Sequence, residues 1–598
     1  MTPSRIEDFS EIWCVDFEFH QPPGEIPQPI CLVAHEIRSG RWVKLFRDEM
    51  ADTAPYRLDE NSLFIAFASS AEFSCHLALG WQLPKYTMDL FFEFRNLTNS
   101  VDRLNQKASL LSALAYFNIP HSTAEKKDSM RALAMRGGPW TQEERDSLVE
   151  YCQSDVLPLP ALLNKLASQL SPQAFSQVLE RGRYSKAVAL MEVAGVPIDT
   201  ETLDELRRKW VNIHLQLIAE VDQDFHVYEG IHFRYDLFKD WLDRRRISWP
   251  RTHTGRLSVE EDTFRTMALT YPELNPLREL RATLASMKLE SLSVGRDGRN
   301  RTSLKPFTSV TSRNQPSNSS FIFGPAVWLR YLIKPVIGNA VAYVDFEQQE
   351  FGIAAHLSGD EAMQEAYGAG DPYLEFAKQA GAVPPGATKK THSAVRDQFK
   401  SCALAVMYGM TPKGLSIRIG RSENEAERLI EKHQQTYPKF WEWSDRVVAH
   451  MQLEGIYTTK AGWQISRAPR GLNEHQKRSL RNFPMQATGA DMLRLACCLA
   501  TEAGITICCP VHDAVLIEAP LARIGEQVSA MQAVMTEASR EILDGFELRT
   551  EAKVFTDRFE DPRGRSTWKL VTGLLERCRP GEEQFELIGL LGYSDARV

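Results

Sequence analysis

Two aspartates that follow apolar runs are the first residues in this chain whose positions suggest chemistry. Asp345 comes directly after the apolar run 341–344, and Asp513 lies between two apolar strands in GITICCPVHDAVLIEAP. Taken singly, a helix cap explains Asp345 better, and a polar β-turn explains His512–Asp513. Taken together on neighbouring strands, they suit a two-metal phosphoryl-transfer site, in which carboxylates bridge Mg²⁺ ions about 3.5–4 Å apart.

A second candidate set lies in the predicted helix RDQFKSCALAVMYGM. Arg396, Lys400, Leu404 and Tyr408 recur every four residues and therefore share one slowly drifting face. Two cations, an apolar side chain and a ring in this order suit a nucleoside triphosphate, with the phosphates against the cations and the base or sugar against the other two. Alone, an amphipathic helix with a solvated basic edge explains the pattern at least as well.

A third set lies near the N-terminus. CVDFEF places Asp16 and Glu18 on one face of a predicted strand, and YCQSD places Tyr151 and Asp155 one helical turn apart. An edge strand with solvated charges is the usual explanation for an Asp-x-Glu pair. Its occurrence together with the Tyr-x-x-x-Asp pair is what makes a metal site worth considering.

The elements that must position these residues require more than one domain. The chain has 598 residues, 43% of them hydrophobic and 25% charged, which is ordinary for a globular enzyme. It lacks both a signal-peptide pattern and an apolar run near the ~20 residues of a membrane span, so we expect a cytoplasmic protein with reduced cysteines. A net charge of −8 argues against indiscriminate coating of nucleic acid but permits local binding.

The periodicity of apolar residues changes along the chain. Residues 1–165 indicate alternating strands and helices, residues 170–300 are mostly helical, and a polar segment follows at 293–320. The remainder alternates again. Its strongest predicted elements are helices at 391–410 and 422–452 and a strand–turn–strand at 504–518.

Three segments resemble motifs A, B and C of the family A (DNA polymerase I-like) DNA polymerases: the one that carries Asp345, the predicted helix RDQFKSCALAVMYGM and the one that carries Asp513. The resemblance extends over roughly residues 185–560. The resemblance implies that Asp345 and Asp513 hold the metal ions and that Glu350 excludes a ribose 2′-OH. It implies contacts with the incoming dNTP at Arg396, Lys400, Leu404 and Tyr408. It also implies DNA contacts at Arg313 in TSRNQP, at Arg478, Asn482 and Gln486 in RNFPMQATGADMLR and its approach, and at His512.

Three positions depart from the family pattern. Leu404 stands where many relatives carry Phe or Tyr, Ala514 replaces an acidic residue often found after the second aspartate, and Ser312 replaces the glycine before Arg313. None of these changes removes Asp345 or Asp513.

The N-terminal pairs resemble the DEDD-type 3′–5′ exonucleases, which also use two metal ions. The resemblance makes Asp16, Glu18 and Asp155 metal ligands and Tyr151 the residue that orients the attacking water. Glu72, in FASSAEFSCHLALGW, takes the position of the family's remaining aspartate. We expect proofreading activity, and a retained fold with sluggish or no activity is the alternative. Nothing resembles a 5′-nuclease domain, so we expect no nick translation from this chain alone.

The expected fold is therefore α/β and α+β multidomain, with an RNase H-like exonuclease domain followed by a right-hand polymerase domain. The predicted boundaries are 1–170 for the exonuclease-like domain, 171–320 for palm entry and thumb, 321–370 for palm, 371–450 for fingers, 451–560 for palm and 561–598 for a tail of unknown role.

The expected activity is DNA-templated DNA synthesis, in replication or repair, with two Mg²⁺ per active site and Mn²⁺ as a substitute. Primer–template DNA and dNTPs are the expected partners of a monomer, and the sequence leaves a processivity factor open. Two rival readings remain: a single-subunit RNA polymerase, against which Glu350 argues, and a catalytically inactive primer–template-binding protein.

Overall fold

The computed structural model describes most of the chain as two compact units. The described residues are 3–100, 108–120, 124–170, 174–252, 254–286, 289, 291–324, 326–466 and 472–577. The first unit comprises Met1–Gly195, Ser303–Gln315 and Ala342–Val554, and the second comprises Val196–Thr302, Pro316–Val341 and Phe555–Val598. Of the predicted tail, residues 578–598 lie outside the described residues. The six predicted domain ranges remain predictions, because the two compact units are defined by packing and do not separate palm, fingers and thumb.

The N-terminal part of the first unit is a mixed sheet with helices on both faces. Its strands are β1 (Glu11–His20), β2 (Gln28–Glu36), β3 (Arg41–Phe46), β4 (Ser62–Ala66) and β5 (Tyr86–Asp89). Its helices are α1 (Ser70–Ala78), α2 (Leu90–Thr98), α3 (Leu110–Tyr116), α4 (Ala124–Arg136), α5 (Gln142–Val156), α6 (Leu159–Ala167) and α7 (Ala174–Ala194). The strand order is β3-β2-β1-β4-β5, antiparallel from β3 to β1 and parallel from β1 to β5. The predicted α/β character is confirmed here.

Strand β1 forms the centre of this sheet because both of its faces are apolar. Ile12 and Cys14 pack into one hydrophobic cluster, and Trp13, Val15 and Phe17 pack into the other. Since side chains alternate along a strand, Asp16 shares the face of Ile12 and Cys14. The acidic pair therefore extends the α5 side of the sheet.

Helix α7 packs on β5 and, later in the chain but within the same unit, on the helix 474–502 and the strand 507–511. The approach is close at Gly182, where an added Cβ would lie 1.9 Å from the carbonyl oxygen of Thr87. Beside it, Arg181 donates to both carboxylate oxygens of Glu93 on α2 at 2.8 and 2.7 Å, and both side chains are buried. A buried ion pair thus joins α2 to α7.

The second unit begins with short strands and helices around an aromatic core. These elements are β6 (Val196–Pro197), α8 (Thr200–Arg208), α9 (Trp210–Asp222), β7 (Tyr228–Glu229), β8 (His232–Phe233), α10 (Tyr235–Arg245), α11 (Glu261–Thr270), α12 (Asn275–Ser286) and β9 (Arg299–Asn300). Phe238 on α10 lies at the centre of the core, in ring contact with Trp241, Trp249 and Phe264.

The C-terminal half brings a second sheet, ordered β13-β14-β10-β15, together with the longest helices. Its first elements are β10 (Asn339–Phe346), α13 (Gln349–Ser358), α14 (Glu361–Gly368), α15 (Pro372–Gln379), α16 (Ser393–Met407), α17 (Pro412–Ile419), α18 (Glu423–Thr436) and α19 (Pro438–Glu454). The others are β11 (Ile456–Thr458), β12 (Gln464–Ser466), α20 (Glu474–Glu502), β13 (Ile507–Val511), β14 (Ala514–Pro520), α21 (Ile524–Ile542), β15 (Thr550–Phe555) and α22 (Arg565–Arg577).

The two long helices predicted in this half are shorter in the structure. The predicted helix 391–410 is α16, which ends at Met407. The predicted helix 422–452 is divided into α18 and α19 at Tyr437. Pro438 accounts for this break, because proline disfavours helical backbone at the preceding residue and donates no backbone hydrogen bond.

Two further sequence expectations concern the cysteines and membrane-spanning helices. The cysteines that the structure describes are buried and form no disulfides with one another, in agreement with the prediction of reduced thiols. Among the helices the structure describes, none combines the length and apolar character of a membrane span.

The buried pair of Glu93 and Arg181 gives a test of this packing. We expect Glu93→Leu and Arg181→Met each to lower the free energy of unfolding by about 3–5 kcal/mol, because each leaves a buried charge without its partner. The double variant should lose much less than the sum of the two. Urea unfolding of the four proteins measures this coupling, and strictly additive losses would contradict it.

Candidate active sites

Three carboxylates of the N-terminal part converge at the end of β1. Asp16 and Glu18 come from β1, and Asp155 comes from α5, which packs against that strand. Ligand oxygens of all three lie within 4.8 Å of one another. A bulge follows Glu18 in the pairing of β1 with β2, a feature that re-aims side chains at the end of a ladder. Tyr151 lies one helical turn from Asp155 and is buried.

Burial and nearby negative charge raise the pKa of two of these carboxyls, Asp16 and Glu18. Burial first, and then the charge of Asp155, raise the pKa of Asp16 to about 7, while the Cys152 thiol and Lys127 oppose the rise. Burial, and after it the charge of Asp16, raise the pKa of Glu18 well above its usual range. Cys152 donates through Sγ to Oδ2 of Asp16 at 3.2 Å. A divalent cation would relieve this repulsion, so the three residues fit a metal site.

Glu72, the predicted fourth ligand, lies on α1 outside that three-carboxylate group. It is 4% exposed, and within the described residues its Oε2 has no hydrogen-bond partner. Burial, followed by the charges of Asp16 and Asp89, raises its pKa well above the usual range. The structure thus brings together three of the four predicted carboxylates and leaves the last nearby.

Asp89 explains how α1 is placed. Its carboxylate accepts hydrogen bonds from the backbone N–H groups of Ala68, Ser69 and Phe91 at 2.7–3.1 Å, and also from the Ser69 hydroxyl. It therefore caps α2 while holding the turn that leads into α1. In this position Asp89 is a structural residue.

The second candidate site lies on the C-terminal sheet. Asp345 occupies the end of β10, and Asp513 lies in the two-residue turn between β13 and β14, whose strands pair through Val511 and Ala514. The backbone N–H of Phe346 donates to the carbonyl oxygen of Asp513 at 3.3 Å. The two aspartates predicted to hold metal ions are therefore side by side.

Burial and neighbouring acidic residues disfavour the ionised form of Asp345. Burial, and next the charges of Asp513 and Glu551, raise its pKa to about 8. Its Oδ1 is buried and, among the described residues, has no hydrogen-bond partner. Burial likewise raises the pKa of Asp513. An orphaned carboxylate oxygen beside a second carboxylate fits a divalent cation better than a helix cap.

The predicted triphosphate face of α16 is only partly open. Lys400 is exposed, with Nζ 5.7 Å from the centre of the Tyr373 ring. Arg396 is buried and donates to Asp371 at 2.9 Å and to Asp397 at 3.0 Å. Sequence reasoning missed these partners, although the Asp-Pro pair at the start of α15 is a recognisable cap signal. Arg396 must exchange these carboxylates for a phosphate if it has the predicted role.

Glu350, on α13, lies between two residues predicted independently of it. The Tyr408 hydroxyl donates to Oε1 of Glu350 at 2.9 Å, and Arg313 donates to the same oxygen at 3.3 Å. Tyr408 is the C-cap of α16, and the partly exposed Leu404 lies one turn before it. Glu350, which is predicted to exclude a ribose 2′-OH, is therefore held by Tyr408, a predicted dNTP contact, and by Arg313, a predicted DNA contact.

Helix α20 presents its predicted DNA contacts next to this network. Gln486 hydrogen-bonds with Tyr408, and Oδ1 of Asn482 is buried without a partner in the described part of the chain. Arg478 lies against Gly409, where an added Cβ would meet its Cγ at 2.7 Å. Gly409 also has φ +62°. A side chain at this position is therefore disfavoured both by the clash with Arg478 and by the left-handed backbone conformation. His512 is exposed at the β13–β14 turn.

Arg494, which sequence reasoning did not select, determines the backbone next to Arg313. Ser312 has φ +60°, a left-handed conformation that glycine adopts more readily than serine, which suits the glycine of the family pattern described above. Arg494 donates to the Ser312 carbonyl oxygen at 2.9 Å and to its hydroxyl at 3.0 Å, while pairing with the buried Asp491. Two charged residues inside the apolar run of α20 were the available sequence signal.

Helix α2 of the N-terminal part supports the same segment. Arg95 donates to the carbonyl oxygen of Thr308 at 2.9 Å, and Asn99 donates to those of Val310 and Gln464 at 2.8 Å. The segment carrying Arg313 is therefore fastened from α2 on one side and from α20 on the other.

The raised pKa of Asp345 predicts pH-dependent metal binding at the C-terminal site. Below a pKa of about 8 the carboxyl holds a proton that a cation must displace. The Mg²⁺ affinity should therefore rise with pH by up to about tenfold per unit and level off above pH ~8. Calorimetric titration of a chain carrying Asp16→Asn and Glu18→Gln isolates this site. Adding Asp345→Asn should weaken Mg²⁺ binding and reduce its pH dependence to the part that comes from Asp513, and equal affinities of the parent at about pH 6 and 9 would contradict the prediction.

Comparison with known proteins places this geometry in a family. Residues 204–554 match the model of DNA polymerase family A. The thermostable DNA polymerase I of Thermus thermophilus is 26% identical over 450 residues, 71% of this chain and 52% of the relative. DNA polymerase I of Chloroflexus aurantiacus is 24% identical over 425 residues, 66% of this chain and 44% of the relative. The chain spans about half the length of the curated relatives it matches.

A solved structure shows the same fold. It is the POL domain of Pol1 from M. smegmatis in complex with DNA primer-template and dNTP, with a TM-score of 0.73, 17% sequence identity and coverage of 91% of this chain and 95% of that one. The family match covers more than half of the chain, and it includes both sheet aspartates. The chain belongs to family A of the DNA polymerases.

Proposed function

We propose that this chain is a DNA-templated DNA polymerase that adds dNTPs to a primer 3′-OH. The observation that carries the proposal is the pairing of Asp345 and Asp513 beside Glu350, inside the segment that matches the family. Two partly buried carboxylates with raised pKa values cost folding free energy, and a metal-dependent reaction gives them a use.

Nucleotidyl transfer needs positive charge at the phosphates and an exact place for the primer 3′-oxygen. Mg²⁺ held by Asp345 and Asp513 would activate that oxygen and stabilise the leaving pyrophosphate. Lys400 is exposed and placed to contact phosphate oxygens, and Arg396 joins it when it leaves Asp371. The 3′-oxygen forms the new bond to the α-phosphorus as the bond to pyrophosphate breaks.

Selection of the nucleotide follows from the contacts around Glu350. Its carboxylate is held by Tyr408 and Arg313, so it cannot turn away from a ribose 2′-OH without losing both hydrogen bonds. This rigidity supports deoxyribose selection and argues against the single-subunit RNA polymerase reading. Leu404 presents an aliphatic side chain, rather than a ring, one turn before Tyr408.

Primer–template DNA is the proposed macromolecular partner, with the chain acting as a monomer. The Pol1 domain from M. smegmatis was solved with primer-template and dNTP. On this chain the proposed DNA contacts are Arg313, Arg478, Asn482, Gln486 and His512. The orphaned Asn482 oxygen and the exposed His512 leave both side chains available for such contacts.

We further propose that the N-terminal part is a 3′–5′ exonuclease of RNase H-like fold. Three antiparallel strands followed by two parallel ones, with the carboxylates at the end of β1, support this reading. In the hydrolysis, a water oxygen bonds to the last phosphorus, the bond to the neighbouring 3′-oxygen breaks, and that oxygen takes up a proton. Tyr151 would orient the water. A retained fold with weak or no activity is the alternative, because Glu72 stands at the position of the family's remaining aspartate.

The polymerase proposal is tested by extension of a 5′-labelled primer on a longer template with Mg²⁺ and dNTPs. Asp345→Asn and Asp513→Asn should each slow extension at least about 100-fold, because charge stabilisation in the transition state is lost. Binding of primer–template, followed by fluorescence anisotropy, should be unchanged. The exposed Asp557→Asn serves as the matched control. Normal extension by either site variant would show that the metal assignment is wrong, and no extension by the unaltered chain would leave an inactive DNA-binding protein.

The exonuclease proposal is tested by omitting dNTPs from the same assay. The unaltered chain should shorten the primer, whereas Asp16→Asn combined with Glu18→Gln should not, since the carboxylates that hold the metal are gone. Extension with dNTPs should stay at its original rate, and the exposed Glu60→Gln should change neither reaction. Continued shortening by the double variant would place the nuclease elsewhere, and no shortening by the unaltered chain would mean an inactive domain.

A further inference from the structure

We propose that a groove beside the N-terminal carboxylates binds one nucleotide of the single strand whose 3′ end these carboxylates would cleave. This β3–α5 groove has a volume of about 510 Å³, and its lining includes Phe46, Arg47, Asp48, Trp140 and Arg145. A volume of that size suits a small organic ligand. The inference rests on the proposed exonuclease function and extends it from the scissile bond to a neighbouring nucleotide.

The β3–α5 groove lies on the same face of the sheet as the carboxylates. Glu18 pairs with Cys31 on β2, and Cys31 pairs with Phe46 on β3, so the three residues form one row across three strands. Directly paired residues point to one face, and Cys31 and Phe46 pack in the same hydrophobic cluster. Since neighbouring strands are about 4.8 Å apart, Phe46 lies about 10 Å from Glu18 along this row.

The loop before α5 joins the groove to the end of β1. His20, two residues after Glu18, lies beside Gly137, where an added Cβ would be 3.5 Å from the imidazole ring. Gly138 and Pro139 follow directly and are part of the groove lining. A strand whose terminal phosphodiester lies at the carboxylates can therefore reach the groove with a nearby nucleotide.

The aromatic side chains of the groove provide surfaces on which a base can stack. Phe46 and Trp140 meet edge to face, with ring centroids 5.7 Å apart and an angle of 80° between the rings. Trp140 is half-buried, so part of its ring remains accessible. Single-stranded nucleic acid is commonly bound by aromatic rings that stack with bases, with basic residues along the backbone.

Two arginines supply the basic part. The guanidinium carbon of Arg145 lies 4.1 Å from the centre of the Phe46 ring, and Arg47 is exposed. Arg145 also donates to Asp48, the carboxylate of the lining, which is 59% exposed. A guanidinium has five N–H donors, so this pair leaves others for a phosphate oxygen. Two cations against one carboxylate give the lining a net positive charge, which favours an anion.

The same chemistry would hold a free mononucleotide, the product of cleavage. A strand is the favoured occupant because it is tethered. When its terminal phosphodiester is held at the carboxylates, a neighbouring nucleotide is present at the groove at a high effective concentration. A free mononucleotide has no such advantage.

A binding measurement tests the inference without relying on activity. The full chain carrying Asp16→Asn and Glu18→Gln is titrated against a short fluorescein-labelled thymidine oligonucleotide, with unlabelled blunt duplex present to occupy the proposed polymerase site, and fluorescence anisotropy is recorded. Trp140→Leu should weaken binding about tenfold because stacking is lost, and Trp140→Phe should retain most of the affinity. Arg47→Gln should weaken binding and reduce its salt dependence, since a phosphate contact is lost.

The exposed Arg57→Gln is the matched control and should change neither the affinity nor the salt dependence. Unchanged affinity in both Trp140→Leu and Arg47→Gln would overturn the inference. Competition with dTMP distinguishes the two sources of a nucleotide. We expect dTMP to displace the oligonucleotide only at far higher concentration, and displacement at equal concentration would show a mononucleotide site instead.

Primer shortening separates this inference from the exonuclease proposal. In the otherwise unaltered chain, Trp140→Leu should raise the KM for a single strand about tenfold with little change in kcat, because the groove is remote from the reacting atoms. If the unaltered chain shortens primers and both groove variants match it in KM and affinity, only the inference fails. If the unaltered chain does not shorten primers, the exonuclease proposal fails, and the affinities alone decide whether the groove binds the strand.

Discussion

Carboxylates repel one another most strongly where water is scarce, and the first unit of this chain holds them together under that condition in two places. Asp345 and Asp513 share the end of one sheet, and Asp16, Glu18 and Asp155 share the end of the other. In both places burial is the largest cause of the raised pKa values. Such arrangements cost folding free energy, and the surrounding structure has to supply it.

Much of that support comes from packing that is shared by the two sites. Helix α2 begins at Asp89, whose carboxylate also holds the turn before α1, and its far end donates to the backbone at Val310 and Gln464. The buried pair of Glu93 and Arg181 fastens the same helix to α7. The N-terminal sheet and the segment before Arg313 are therefore held by one element, which makes the proposed editing domain part of the polymerase framework.

The two carboxylate groups differ in the positively charged side chains that lie near them. The charges that act on Asp345 come mainly from acidic residues, namely Asp513, Glu551 and Glu347, and Lys553 is the cation that opposes them. In the N-terminal group, Lys127 lies within hydrogen-bonding distance of the Asp155 carboxylate. A side chain of the protein itself therefore supplies part of the positive charge that offsets these carboxylates.

The sequence by itself determined the family, the two sheet aspartates and the alternation that puts Asp16 and Glu18 on one face of β1. These follow from local order: a strand's period of two and the spacing within a motif survive whatever the rest of the chain does. It could not show that Glu72 would stand apart from the other three carboxylates. That outcome depends on how Asp89 sets the start of α1, and no spacing rule contains it.

Only the tertiary structure decided which charges meet across long stretches of chain. Lys127 meets Asp155, Arg494 meets Ser312, and Arg396 meets Asp371, each through the packing of separate elements. A sequence pattern reports the period of one element, whereas an ion pair depends on the distance between two. The placement of Asp345 and Asp513 next to strands of one sheet could therefore be predicted from sequence, while the cationic side chains near each carboxylate group had to be read from the fold.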